Sequence, residues 1–163
     1  MKVCQGKITS KFGDRIHPIT GVKKFHNGVD IACPINTPIY SPCEGIIASI
    51  YNHQTGGKTL ILRAFGTDDR FAFAHLHGFT KKEGDIVKRG DLIAYSGNTG
   101  ASTGAHLHFG KGINGYWKGG ICYDFEFVDP TKDIDIDDNK PIVPTPKEFV
   151  SDIQHIPRIM ETR

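Results

Sequence analysis

The sequence predicts an all-β protein, and three observations carry that prediction. Apolar residues alternate with polar ones in short runs. The 19 glycines and 9 prolines among 163 residues punctuate those runs at close intervals. No segment before residue 130 sustains apolar spacing of helical period for three turns.

Taken in order, Met1 to Ile8 reads as an edge strand, and Ser10 to Lys24 as an ordered loop, because Gly13, Pro18 and Gly21 interrupt it. Asn27-Gly28 marks a tight bend before Val29, Ile31 and Ala32. Three prolines between Pro34 and Pro42 suit short edge strands. Gly45 to Tyr51 and Thr59 to Phe65 are clear strands joined by the turn QTGGK, and a third, Arg70 to Leu76, follows the turn GTDD. In a regular strand this third run puts Phe71, Phe73 and His75 on one side. Gly-Asp occurs twice in Lys82 to Ile93, where Asp85 and Asp91 can accept backbone N–H bonds within tight turns. Leu92 to Tyr95 then enters the small-residue loop GNTGASTG, residues 97–104, from which AHLHFG (105–110) leaves as a strand. Ile121 to Phe127 closes the series as one more strand.

Residues 1–130 form the expected domain, and residues 131–163 a different segment. The span from Asp129 to Pro146 is acidic and proline-bearing, as expected of a linker. Lys147 to Met160 can form a short amphipathic helix through Phe149, Ile153 and Ile156, ended by Pro157.

Composition excludes several classes of function. A formal charge of +2, without a dense Lys/Arg stretch, gives no nucleic-acid footprint. No run of 18 apolar residues is present, so membrane insertion is not expected. Cys4, Cys33, Cys43 and Cys122 have no CxxC spacing; they read as free thiols, with one or two disulfides as the alternative. GNTGASTG lacks the GxxxxGK[ST] pattern and a following helix, which argues against a phosphate loop. Lys88, in the turn region 84–93, lacks the flanking residues of a biotinyl or lipoyl carrier site.

The chemistry concentrates in the histidines. His106 and His108 leave the same face of a strand, about 6–7 Å apart along the backbone. In FHNGVDIA (25–32), His26 and Asp30 would lie about 13 Å apart on a straight strand. A sharp turn at Gly28 lets them converge. Together with one histidine of the HLH pair they make two imidazoles and a carboxylate, a suitable donor set for a catalytic Zn²⁺ that keeps one position for water. Asn98, Thr99, Ser102 and Thr103 can wall a groove for an extended peptide, to which His17 and His77 also stand as candidate contacts.

Several segments, in order and spacing, resemble the lysostaphin-type (LytM-like) zinc metallopeptidases, bacterial and phage enzymes that cut peptide bonds of peptidoglycan. They are FGDRIHP (12–18), FHNGVDIA (25–32), PIYSPCEGIIASI (38–50), FAHLHG (73–78), GDIVKRGDLIAYSGNTG (84–100) and STGAHLHFG (102–110). The resemblance implies a small barrel-sandwich hybrid of the duplicated hybrid motif type, with long loops bordering a metal groove. It implies one Zn²⁺ per chain held by His26, Asp30 and His108, with His106 and His75 as the catalytic histidines that do not bind metal. Phe73 stands where the family often has tyrosine and becomes a further groove candidate. No HExxH motif supplies a glutamate base, so the proton of the attacking water must pass to His75 or His106, in roles the sequence leaves open. The implied function is zinc-dependent endopeptidase cleavage of stem peptides or cross-bridges. The alternative is an inactive cell-wall module of the same fold, whose expected sign, a missing ligand or catalytic histidine, is not seen.

The implied substrate lies outside the cytoplasmic membrane, while these residues contain no amino-terminal apolar segment of signal length. A phage lysin, or a virion or secretion-machine domain assembled through residues 131–163, reconciles the two, as does an exported enzyme trimmed of its leader. The isolated domain is expected to be a monomer.

Overall fold

The computed structural model describes residues 1–17 and 20–135; the expected helix at 147–160 lies outside them. Among the described residues there are fourteen strands: β1 (Lys7–Ser10), β2 (Gly13–Ile16), β3 (Lys23–His26), β4 (Val29–Ala32), β5 (Pro38–Tyr40), β6 (Gly45–His53), β7 (Gly57–Ala64), β8 (Arg70–Phe79), β9 (Ile86–Val87), β10 (Leu92–Ser96), β11 (His106–Ile113), β12 (Tyr116–Lys118), β13 (Ile121–Tyr123) and β14 (Glu126–Val128). A 3-10 turn, Pro130–Lys132, follows, capped by the Asp129 carboxylate on Thr131 N.

The main sheet runs β1-β4-β11-β8-β7-β6-β9, with β14 added to β11, and with β10 pairing both β8 and β5. The all-β expectation therefore stands, but the barrel-sandwich hybrid does not. β1 and β9 end the path without pairing to each other, so no barrel closes; the sheet is open and branched. The branch follows from the length of β8. Arg70–Ala74 pairs with β11, whereas Leu76–Phe79 pairs with β10. The two partners part at His75.

His75 is also where β8 is irregular. Lys58 of β7 faces Leu76 and Leu60 faces Phe73, so β8 carries one extra residue across this interval. His75 has φ +60°, which is rare for a side-chain-bearing residue and marks a bulge. The bulge reverses the alternation: Phe71 and Phe73 are buried, Ala74 and Leu76 are buried as well, and His75 turns to the partly exposed side. The expected common face of Phe71, Phe73 and His75 is thus overturned. Phe73 is 0% exposed and packs 5.1 Å from Phe109, so it lies in the core rather than in a groove.

Two other expectations are corrected. Ser10 to Lys24 contains the hairpin β2–β3 rather than loop alone. This hairpin forms a separate two-stranded sheet, mostly exposed on both faces, and so carries no apolar alternation for pattern reading to find. Ile121 to Phe127 is two strands, broken near Asp124 (φ +51°); β13 pairs with β12 and β14 with β11.

The core gathers Val29 and Ile31 from β4, Leu60 and Leu62 from β7, Phe71 and Phe73 from β8, and Leu107 and Phe109 from β11. Phe71 and Phe109 stack at 5.8 Å. All four cysteines are free thiols. Ile134 is buried in this core, and Asp133 pairs with Lys111 of β11 at 2.8 Å. The packing therefore continues past residue 130. A chain truncated after Asp129 should be less stable in urea than one truncated after Asp135 by at least about 2 kcal/mol, the lower end for emptying a buried isoleucine site. Equal denaturation midpoints would assign Ile134 no part in the core.

Candidate metal centre

β4 and β11 are antiparallel neighbours, and their register places His108 directly opposite Asp30. Alternation along β11 buries Leu107 and Phe109 and turns His106 and His108 to the other face. His26, at the end of β3, joins them because the chain bends at Asn27-Gly28 between the hairpin and the main sheet. Gly28 serves by its lack of a side chain: a Cβ there would lie 2.4 Å from the Phe109 carbonyl oxygen and 2.9 Å from His108 Nε2.

Asp30 Oδ1 lies 3.2 Å from His26 Nε2 and 3.0 Å from His108 Nδ1, and the two ring nitrogens are 3.2 Å apart. The three donors thus form a nearly equilateral triangle. Bonds of about 2.0–2.1 Å to a tetrahedral ion require ligand atoms about 3.3 Å apart, so the donor set fits one zinc ion with a fourth position open. Burial pushes the Asp30 carboxyl up, but hydrogen bonds and charge from His108 and His26 outweigh it and hold the group well below the usual carboxylate range.

Backbone carbonyls orient the rings. A carbonyl only accepts, so a ring nitrogen bonded to one carries the proton. His26 Nδ1 donates to Lys11 O at 2.9 Å, leaving Nε2 bare for metal. His106 Nδ1 donates to Gly104 O at 2.7 Å and lies 3.1 Å from Ser102 Oγ. His75 Nδ1 donates to Thr99 O at 2.7 Å. His75 and His106 stand with ring centroids 4.6 Å apart, and His106 Nε2 is 3.7 Å from Asp30 Oδ1. Burial lowers the His75 pKa from its ordinary value; the neighbouring imidazoles add to this, while the bond to Thr99 and the Asp30 charge oppose it.

The other expected contacts are spread more widely. Asn98, Thr103 and His77 are exposed near these histidines in the chain. Ser102 braces His106, and the Thr99 hydroxyl is engaged within the protein. His17 belongs to the β2–β3 connection, where Thr20 N donates to its ring. Sequence reasoning missed Arg15, whose Nη1 lies 3.6 Å from Asp30 Oδ2 and donates to Ser10 Oγ. Its place on an exposed hairpin gave no periodic signal.

The profile of Peptidase family M23 matches residues 24–117, an interval that includes all five of these ring and carboxylate residues. The chain belongs to this family. In sequence it is 37% identical over 112 residues to an uncharacterized metalloprotease of Haemophilus influenzae, covering 68% of the chain and 24% of the relative. It is 38% identical over 104 residues to the peptidoglycan DD-endopeptidase ShyA of Vibrio cholerae, covering 63% and 24%. This M23 chain therefore spans about a quarter of the length of those curated relatives. In structure it resembles LytU, with TM-score 0.62, 40% identity and coverage of 73% of this chain and 81% of that one. The catalytic domain of lysostaphin from Staphylococcus simulans gives TM-score 0.64, 31% identity and coverage of 78% and 90%.

His26→Ala, Asp30→Ala and His108→Ala should each weaken zinc binding more than tenfold, since each removes a direct donor. Gly28→Ala should weaken it as well, by displacing β11 and the His108 ring. Titration against a zinc-sensitive dye checks all four, and undiminished affinity in any ligand variant would expel that residue from the donor set.

Proposed function

We propose that this M23 domain is a zinc-dependent endopeptidase that hydrolyses an amide bond in peptidoglycan stem peptides or cross-bridges. The observation that carries the reading is the His26–Asp30–His108 triangle with two further imidazoles, His75 and His106, beside it. An inactive module of the same fold has no use for such a complete set. The names of the relatives, a peptidoglycan DD-endopeptidase and lysostaphin among them, support the substrate class.

His26 Nε2, Asp30 Oδ1 and His108 Nδ1 would hold a zinc ion, which would supply a Lewis acid for the amide carbonyl and for a water molecule. The remaining work falls to the chain. His75, neutral because burial opposes its charged form, takes a proton from the attacking water at Nε2. That attack forms the new C–O bond, and His75 then returns the proton to the amine nitrogen as the C–N bond breaks and the carbonyl re-forms. His106, whose Nε2 lies 3.7 Å from Asp30 Oδ1, is the second imidazole beside the reacting centre and serves to stabilise the developing oxyanion. The work is extracytoplasmic, because peptidoglycan is. Among the described residues no helix is long and apolar enough to cross a membrane. Residues 131–163 are the segment to which we assign attachment to a larger phage or secretion assembly.

His75→Ala and His106→Ala should retain zinc and lose about 10²–10⁴ in kcat, the range for loss of a positioned proton-transfer group. Mass spectrometry of digested peptidoglycan names the bond, and loss of zinc together with activity in His106→Ala would overturn the division of roles. The pH profile follows from the lowered His75 pKa. The base-competent neutral form persists below pH 6.5, so the acid limb of kcat/KM should fall below that value. A limb above 6.5 would assign the proton to another group.

A further inference from the structure

Thr99 lies in the loop between β10 and β11, where its hydroxyl is well placed by sequence to meet a substrate backbone. The structure commits that hydroxyl elsewhere. It donates to the Leu76 carbonyl at 2.7 Å and accepts from Lys58 N at 3.0 Å. The Thr99 carbonyl accepts from His75 Nδ1 at 2.7 Å. One residue thus joins the start of β7, the bulge of β8 and the loop that leads into β11.

The surroundings are built for this knot. A Cβ on Gly57 would lie 2.4 Å from both the carbonyl carbon and the Oγ1 of Thr99, and one on Gly100 would lie 2.3 Å from Gly57 N. Both glycines have positive φ, +63° and +76°, so neither position accepts a side chain without strain. Ala101 N donates to Thr55 O at 2.9 Å, and His75 N donates to Gly56 O at 2.7 Å. The turn at 55–57 therefore holds the His75 backbone while Thr99 holds its ring. His75 keeps an unfavourable φ because both anchors over-determine it.

We propose that Thr99 is a positioning residue for catalysis: its hydroxyl, tied to Lys58 and Leu76, fixes its carbonyl on His75 Nδ1 and so imposes the tautomer that leaves Nε2 bare. The inference rests on the proton-transfer role of His75 given above. Without the carbonyl the ring is free to carry its proton on Nε2, where the neutral imidazole could not take one from water. Thr99 acts through His75, and its hydroxyl proton is already given to Leu76.

The test uses the zinc-loaded full chain labelled with ¹⁵N and ¹³C in histidine, read by NMR at pH 8, with kcat and KM for peptidoglycan fragments from the same preparations. In the unmodified protein His75 should be the Nδ1–H tautomer. Thr99→Val keeps the shape and removes the hydroxyl; kcat should fall about 10–100-fold with KM within threefold, zinc stoichiometric, and His75 shifted toward the Nε2–H form. Thr99→Ser should restore kcat to within threefold and recover the tautomer. An Nε2–H tautomer in the unmodified protein overturns the proposal, and decides it even if Thr99→Val does not fold. Unchanged kcat in Thr99→Val overturns it too, and a raised KM at unchanged kcat gives Thr99 to the substrate groove instead. His75→Ala in the same assay separates the two claims: full activity there sinks the role of His75, whereas the tautomer shift in Thr99→Val reports the knot independently.

Discussion

The centre depends on one cross-strand pair, Asp30 of β4 facing His108 of β11. A carboxylate only 16% exposed is expensive to desolvate, and here the neighbouring imidazoles outweigh that cost. The same register seats Val29, Ile31, Leu107 and Phe109 in the core. A slip by one residue would exchange the two faces, burying the donors and exposing the apolar set. Core packing and donor geometry are therefore enforced by a single alignment, and hydrophobic burial maintains the site.

The branching of the sheet completes what that pair begins. β8 leaves β11 at Ala74 and joins β10 at Leu76, and the residue between them is His75. The β10–β11 loop spans the opening, bringing Thr99 and Gly104 against His75 and His106 respectively. His75, one of the two imidazoles beside the triangle, thus stands where backbone pairing changes partners. A regular strand would have sent His75 into the core beside Phe73.

The parts legible in the sequence were those governed by local period. HLH could be read as two same-face imidazoles above a buried Leu107 and Phe109, and Gly28 could be read as the point where His26 and Asp30 converge. Its reason proved to be lack of room against Phe109 and His108 rather than an unusual φ. What escaped depended on distant pairing. The bulge at His75 has no glycine to announce it, and the β2–β3 hairpin buries too little to alternate. Barrel closure was inferred from resemblance, whereas the hydrogen bonding leaves β1 and β9 as separate edges. Thr99 looked like a groove wall because a hydroxyl in a small-residue loop gives no sign of which carbonyl it will meet.

Three of the histidines, His26, His75 and His106, are oriented by main-chain oxygens of Lys11, Thr99 and Gly104. A peptide oxygen is present whatever side chain its residue bears, so at Lys11 and Gly104 most substitutions leave the acceptor in place, whereas at Thr99 the hydroxyl also holds the carbonyl. Insertion or deletion of one residue is different, because it carries the oxygen away bodily. The loops that carry these oxygens are therefore constrained in length at least as tightly as in composition.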